Sequence, residues 1–141
     1  MKFFLSFLLV LSSIIINAQD VDGIYKLKSG SKDSDTFVLT RTLTLNADGT
    51  FEYYNYRYVE RGIPKETSTY GKGTWKRENK VIVFSTSPSE IDEKFTLDFS
   101  GTKARFISKS PRDKSDKMIE TSLRFFESEI SWIIGNTLIK Q

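Results

Sequence analysis

After residue 20 the chain alternates between segments rich in Val, Ile, Thr, Tyr and Phe and short segments rich in Gly, Asn, Asp and Ser. The first composition is typical of β-strands and the second of turns. No segment repeats its apolar residues at the three-to-four-residue spacing of an amphipathic helix. The pattern therefore predicts an all-β fold. The predicted strands lie near residues 23–28, 37–46, 50–59, 69–77, 80–86, 93–99, 102–108, 117–126, 129–134 and 137–140.

Three tight turns predict how these strands connect. Residues 46–49 read NADG, which is typical of a type I turn followed by a glycine with positive φ. Glu78-Asn79 and Ser100-Gly101 predict two further reversals. Short reversals join antiparallel neighbours, so we expect a single antiparallel meander. Closure into an up-and-down barrel of about eight to ten strands would remove the exposed strand edges, and a β-sandwich is the alternative.

The first 18 residues have the pattern of a secretory signal peptide. Lys2 is followed by an apolar run from Phe3 to Ile16 and by the small residue Ala18. The run is short for a membrane anchor, and no second apolar run of transmembrane length follows it. We therefore expect residues 19–141 to form one exported domain, in the periplasm or outside the cell. The chain has no cysteine, so we expect neither a lipoprotein anchor nor a disulfide.

The composition excludes several kinds of chemistry. Because the chain has no histidine and no cysteine, it cannot form a Ser-His-Asp triad, a Cys-His pair or an ordinary zinc or copper site. The acidic stretches at 20–22 and 33–35 resemble the start of calcium loops but lack the full ligand spacing. We expect no metal and no cofactor. Basic and acidic residues are interspersed without long blocks of either sign, which argues against a nucleic-acid partner.

The segment 50–59 is unusual on the face that we expect to point into the barrel. Successive side chains of a strand point to opposite faces. If Phe51 enters the core, the inward set also contains Tyr53, Asn55 and Arg57. Buried polar groups need hydrogen-bond partners. At the open end of a barrel, a ligand's carboxylate or a cluster of water would supply them.

The opposite face of the same segment carries Tyr54, Tyr56 and Tyr58. An outward stripe of tyrosines forms a flat amphipathic surface of the kind that stacks on sugars or anchors a protein. Tyrosine is also a good strand former, so half-buried rings beneath a neighbouring loop are the more ordinary explanation of this stripe.

The segments LTLNADGTFEYY and GKGTWKRENKVIVF resemble small exported bacterial domains that are described as lipocalin-like. In that group an L-x-L-x-x-D-G-T-F hairpin is followed by a Gly-x-Trp strand and a further hairpin. The resemblance covers roughly residues 23–86 and implies an up-and-down barrel with an interior cavity. Trp75 lies in the Gly-x-Trp segment, and we expect both Trp75 and Trp132 to contribute mainly to the core.

Three functional hypotheses follow. The leading one is non-catalytic binding of a small, partly apolar or amphipathic ligand in the barrel, with contacts from Tyr53, Asn55, Arg57 and Trp75. The second is an interaction module that docks a glycan or a protein through Tyr54, Tyr56 and Tyr58. The third is a hydrolase that uses a pair of carboxylates from the loop acids Glu90, Asp92 and Glu93, which are also typical of solvated loop charges.

Overall fold

The computed structural model describes residues 20–30 and 36–141. The predicted signal peptide lies outside the described residues. The described chain forms nine β-strands and two single-turn 3₁₀ helices, at Pro88–Glu90 and Ser131–Ile133. The strands are β1 Gly23–Gly30, β2 Phe37–Leu45, β3 Thr50–Val59, β4 Glu66–Glu78, β5 Val81–Ser85, β6 Phe95–Leu97, β7 Lys103–Ile107, β8 Ser122–Glu127 and β9 Thr137–Lys140. Neither helical turn in these ranges has the length and apolar character needed to cross a membrane.

Eight of the strands close into an antiparallel up-and-down barrel. β1 to β5 pair in sequence, β5 continues to β7, β8 and β9, and β9 returns to β1. The short β6 pairs in parallel with β4 at Tyr70 and Gly71, on the edge of β4 that β3 does not occupy. The predicted all-β meander and barrel are thus confirmed, the sandwich alternative is wrong, and the architecture fits a lipocalin-like barrel.

The NADG turn has the predicted geometry and sets the register of β2 against β3. Gly49 has a φ of +89°, which only glycine adopts without a Cβ clash. Its N–H donates to the Asn46 carbonyl at 3.1 Å. Asp48 Oδ1 accepts from the N–H of Thr50 at 2.9 Å and from its hydroxyl at 2.6 Å. These hydrogen bonds lower the pKa of the Asp48 carboxyl.

Aromatic rings fill the half of the barrel nearest this turn. The Phe51 ring meets those of Phe84 and Phe99 edge-on, with centroids 5.0 and 5.1 Å away. Two glycines on the inward face of β4 provide the space. A Cβ on Gly71 would lie 2.6 Å from a ring carbon of Phe99, and a Cβ on Gly73 would lie 2.0 Å from the carbonyl oxygen of Ser85. The barrel interior is therefore solid at this end.

The predicted strand at 129–134 is wrong, because its centre forms a 3₁₀ turn. The Ser128 hydroxyl oxygen accepts from the N–H of Ile130 at 3.0 Å, and the N–H of Ile133 returns to the Ile130 carbonyl at 3.1 Å. Gly135, with a φ of +87°, then redirects the chain. The apolar run reflects burial of Ile133, which is 0% exposed, rather than strand alternation. The predicted strands at 93–99 and 117–126 are shorter in the structure and become β6 and β8.

Candidate binding site

At the end of the barrel away from the NADG turn, β2, β3 and β4 extend past the packed core and form one wall of an open cleft. The cleft has a volume of about 540 Å³, which lies within the range of small-molecule sites. Its described lining contains no carboxylate. The lining residues are Phe37, Leu39, Arg41, Asn55, Arg57, Thr67, Thr69, Leu97 and Trp132.

Strand register explains why these side chains come together. Side chains on one face of a strand repeat every two residues, so each inward row crosses all three strands. From the core outward, the rows are Leu43–Tyr53–Gly71, Arg41–Asn55–Thr69 and Leu39–Arg57–Thr67. The innermost row belongs to the packed core and lies beneath the floor of the cleft. The two outer rows belong to the cleft wall.

The middle row is a chain of hydrogen bonds across three strands. Arg41 Nε donates to Asn55 Oδ1 at 3.0 Å, and Asn55 Nδ2 donates to Thr69 Oγ1 at 3.1 Å. Arg41 and Asn55 are each only 9% exposed. The Asn55 amide therefore has a partner at both of its ends. The terminal nitrogens of Arg41 make no hydrogen bond to any described residue.

Arg41 brings a positive charge into the barrel without a counter-ion among residues 20–30 and 36–141. No carboxylate in the described ranges forms an ion pair with it. Its Cζ lies 4.8 Å from the centre of the Trp132 ring, and such a cation–π contact contributes about 0.5–2 kcal/mol. Burying a charged group costs several kcal/mol even after the protein relaxes. The Trp132 contact offsets part of this cost, and the terminal nitrogens of Arg41, which are not among the buried atoms without a partner, are open to the cleft.

Tyr53 lies beneath this row and has an unsatisfied hydroxyl. The residue is 1% exposed, and its hydroxyl has no hydrogen-bond partner among the described residues. Its ring centroid lies 5.1 Å from that of Phe99 and 6.3 Å from that of Trp132. Burial raises the pKa of Tyr53 above its ordinary value, and the positive charge of Arg41 opposes that shift. A buried donor without a partner costs about 1–3 kcal/mol.

Trp132 covers the cleft from the loop between β8 and β9. The residue is 40% exposed, whereas the next residue, Ile133, is fully buried and anchors the turn. Asn136 Nδ2 donates to the Trp132 carbonyl at 2.9 Å and holds the backbone. The indole thus contacts both Arg41 and Tyr53 while one side remains open to solvent.

The structure brings together three of the four residues predicted to contact a ligand. Asn55 and Arg57 line the cleft, and Tyr53 lies under its floor. Trp75 is separate from them, near the NADG end of β4. Its Nε1 donates to the Asn46 carbonyl at 3.0 Å, and its ring packs against the core.

Seven of the nine lining residues were not predicted from the sequence, and two of these, Arg41 and Trp132, contact each other. A signal for Arg41 exists, because strand parity places it on the same face as Leu43 and Leu45. An arginine on an otherwise apolar inward face is a candidate binding residue. Trp132 was expected in the core. Its sequence carried no comparable signal, because a 3₁₀ turn lacks the alternation that separates inward from outward positions in a strand.

The outward face of β3 carries the three predicted tyrosines, and each of them is half-buried. Tyr54 stacks on Tyr70 with ring centroids 4.9 Å apart and an interplanar angle of 25°. Tyr70 in turn contacts Phe95 at 5.9 Å. We call Tyr54, Tyr70 and Phe95 the outer aromatic cluster. The Tyr56 hydroxyl donates to Glu66 at 3.1 Å, so the tyrosines form local contacts rather than one flat stripe.

The loop acids considered for a hydrolase make local hydrogen bonds. Glu90 Oε1 accepts from the N–H of Ser87 at 3.0 Å and from its hydroxyl at 2.8 Å. Asp92 Oδ1 accepts from two backbone N–H groups, those of Lys94 and Phe95. These hydrogen bonds lower the pKa of both carboxyls. Glu93 is exposed. Within the described ranges, no group of three or more acidic side chains is placed to hold a metal ion.

No protein-family model, curated protein or solved structure matches this chain. The fold therefore defines the class of protein by itself: an eight-stranded antiparallel β-barrel with one extra strand. Because folds of this kind host many functions, the function has to be argued from the cleft.

Proposed function

We propose that the protein is a non-catalytic binding protein that holds a small, partly apolar molecule in the cleft at the open end of the barrel. The observation that carries the proposal is the cleft, with its volume of about 540 Å³ and its mixed lining. Phe37, Leu39 and Leu97 offer apolar surface. Arg57 and the Arg41–Asn55–Thr69 row offer hydrogen-bond donors and positive charge. A few polar groups within an apolar wall are typical of ligand sites.

The chemistry of the lining favours binding over catalysis. General acid–base catalysis needs a group whose pKa lies near the working pH. Of the residues that line the cleft, the charged ones are Arg41 and Arg57, whose guanidinium groups are hydrogen-bond donors only. They hold a charged or polar ligand without exchanging protons with it.

We also propose that the protein acts outside the cytoplasm, on the basis of the signal-peptide pattern in residues 1–18. Cell fractionation followed by N-terminal sequencing tests this proposal. The mature chain should begin near Gln19 and be found in the periplasm or the medium. A cytoplasmic protein that retains Met1 would contradict it.

The two tryptophans provide a direct test of the cleft. The chain has two tryptophans, so Trp75→Phe leaves Trp132 as the reporter, and Trp132→Phe leaves Trp75 as the matched control. We expect a panel of fatty acids, fatty alcohols, aromatic acids, haem and metabolites to contain at least one compound that changes Trp132 emission saturably. Trp75 emission should stay constant. A panel that changes neither the emission of Trp132 nor the melting temperature of the wild type would contradict the proposal.

The outer aromatic cluster supports a second candidate function, the docking of a glycan or a protein. A depression of about 190 Å³ lies beside the cluster, and Lys94 Nζ lies 4.9 Å from the centre of the Tyr70 ring. This candidate ranks second because Tyr54 already stacks on Tyr70, and its hydroxyl lies 3.3 Å from Ser68 Oγ. Tyr54→Ala should abolish glycan or protein capture and leave Trp132 titrations unchanged. Strong protection of Tyr54 from chemical labelling would contradict this second function.

A further inference from the structure

We infer that the ligand of the cleft is a carboxylate anion whose head group lies against Arg41 and the Tyr53 hydroxyl, with its apolar part directed outward past Leu39 and Leu97. The inference rests on the proposed function. It adds the chemical class of the ligand and the direction in which it enters.

The unpaired charge of Arg41 is the first observation that points to an anion. A guanidinium has five N–H donors in a planar fork. In Arg41, Nε donates to Asn55 and the ring of Trp132 lies over the group. The terminal nitrogens make no hydrogen bond to a described residue, although Arg41 is 9% exposed and lines the cleft. A carboxylate matches this fork geometrically and supplies the missing negative charge.

The Tyr53 hydroxyl is a second and independent observation. It is a buried donor without a partner in the part of the chain that the structure describes, and it lies one row deeper than Arg41 on the neighbouring strand. Both side chains contact the ring of Trp132, at 4.8 Å for Arg41 and 6.3 Å for Tyr53. One oxygen-rich anion at the floor of the cleft would therefore accept from the guanidinium and from the hydroxyl together. A neutral apolar end placed there would leave both groups unsatisfied.

The position of the second arginine decides the orientation of the ligand. Arg57 lies one row nearer the rim and is exposed. An ion pair with an exposed arginine contributes little because water screens it. Arg41 is buried, so its hydrogen bonds to an anion are stronger. We therefore place the carboxylate at the floor, and Arg57 attracts the anion to the mouth of the cleft.

A matched pair of probes tests the inference: decanoate and decanol, which share an alkyl chain and differ in the head group. Affinities are measured from Trp132 emission in the Trp75→Phe background. A hydrogen bond to a charged group contributes roughly 10- to 100-fold in affinity. Decanoate should therefore bind at least about tenfold more tightly than decanol. Arg41→Gln and Tyr53→Phe should each weaken decanoate binding, the former by about tenfold or more, and leave decanol binding within about twofold.

Arg124→Gln is the matched control, because it removes the same charge from an exposed position on β8. It should leave both affinities unchanged. Equal affinities for decanoate and decanol would overturn the inference, while saturable binding of both would keep the proposed function intact. Binding of neither probe, together with no response to the wider panel, would overturn both. Loss of decanoate binding in Arg57→Gln but not in Arg41→Gln would overturn the orientation. If Arg41→Gln does not fold, the test rests on two other results. These are the ratio of decanoate to decanol affinity in the wild type and the effect of Tyr53→Phe, which deletes one oxygen, on decanoate binding.

Discussion

Replacing Tyr53 with phenylalanine should stabilise the ligand-free protein, whereas the same replacement at Tyr25 should destabilise it. The two positions form a matched pair, because Tyr25 is 0% exposed and Tyr53 is 1% exposed. They differ in their hydroxyls. The Tyr25 hydroxyl donates to the Val21 carbonyl, whereas the Tyr53 hydroxyl has no partner among the described residues. The substitution therefore removes a hydrogen-bonded hydroxyl at Tyr25 and a hydroxyl without a partner among the described residues at Tyr53.

The expected magnitudes follow from the asymmetry of buried hydrogen bonds. At Tyr25 the substitution removes a hydrogen bond and leaves the Val21 carbonyl without its donor, which costs about 1–3 kcal/mol. At Tyr53 it removes a donor whose burial is unfavourable, so the free energy of unfolding should rise by about 1 kcal/mol.

Urea denaturation of the ligand-free protein measures both changes. For a domain of this size the slope is about 1–3 kcal/mol per molar urea. The Tyr53→Phe midpoint should therefore rise by about 0.3–1 M and the Tyr25→Phe midpoint should fall by about 0.3–3 M, with unchanged slopes. A Tyr53→Phe variant that is destabilised as much as Tyr25→Phe would contradict this expectation. In that case the Tyr53 hydroxyl would have a partner in the ligand-free protein, and it would no longer point to a ligand.

Three further predictions concern the barrel, the cleft and pH. Gly73→Ala should lower the free energy of unfolding by about 3 kcal/mol in urea denaturation, because its Cβ would lie 2.0 Å from the Ser85 carbonyl oxygen. The control Lys76→Ala, at an exposed position on the same strand, should change the free energy of unfolding by less than about 0.5 kcal/mol. An equal effect of both substitutions would contradict the packing argument. Arg57→Ala should reduce the rise in melting temperature that a bound anion produces, because Arg57 lines the cleft. A ligand panel that raises the melting temperatures of the variant and the wild type equally would exclude Arg57 from the site. Burial raises the pKa of both Tyr25 and Tyr53, so the unfolded chain loses these protons at a lower pH than the folded protein does. The free energy of unfolding should therefore be constant below the ordinary tyrosine pKa of about 10 and fall as the pH rises above it. Urea midpoints that do not change between pH 8 and pH 11 would contradict the burial of these hydroxyls.

The sequence predicted the inward set on β3 because two local features fix it. The NADG turn sets the register, and Phe51 anchors the parity, so Tyr53, Asn55 and Arg57 follow at every second residue. The same register places Arg41 opposite Asn55. The inward position of Arg41 on β2 was therefore predictable from the turn and the strand alternation.

Other features depend on contacts that are distant in sequence, and local patterns do not encode them. The loop that carries Trp132 is apolar because the side chain of Ile133 is buried in the core. The same composition is typical of a strand. Its direction depends on Gly135 and on the packing of Ile133 against the barrel. Likewise the sequence predicted that Trp75 contributes mainly to the core, against which its ring packs, but not which end of the barrel it occupies.

The proposed carboxylate ligand occupies the Arg41 end of the barrel, beneath Trp132. The indole N–H groups of Trp75 and Trp132 give two signals in a ¹H–¹⁵N correlation spectrum of the uniformly labelled protein, and single Trp→Phe variants assign them. Titration with decanoate should shift the Trp132 signal saturably and leave the Trp75 signal in place, because the Trp75 indole is bonded to Asn46 at the other end of β4. A Trp132 signal that stays fixed while decanoate is added, or that moves as far and as readily with decanol, would contradict the account.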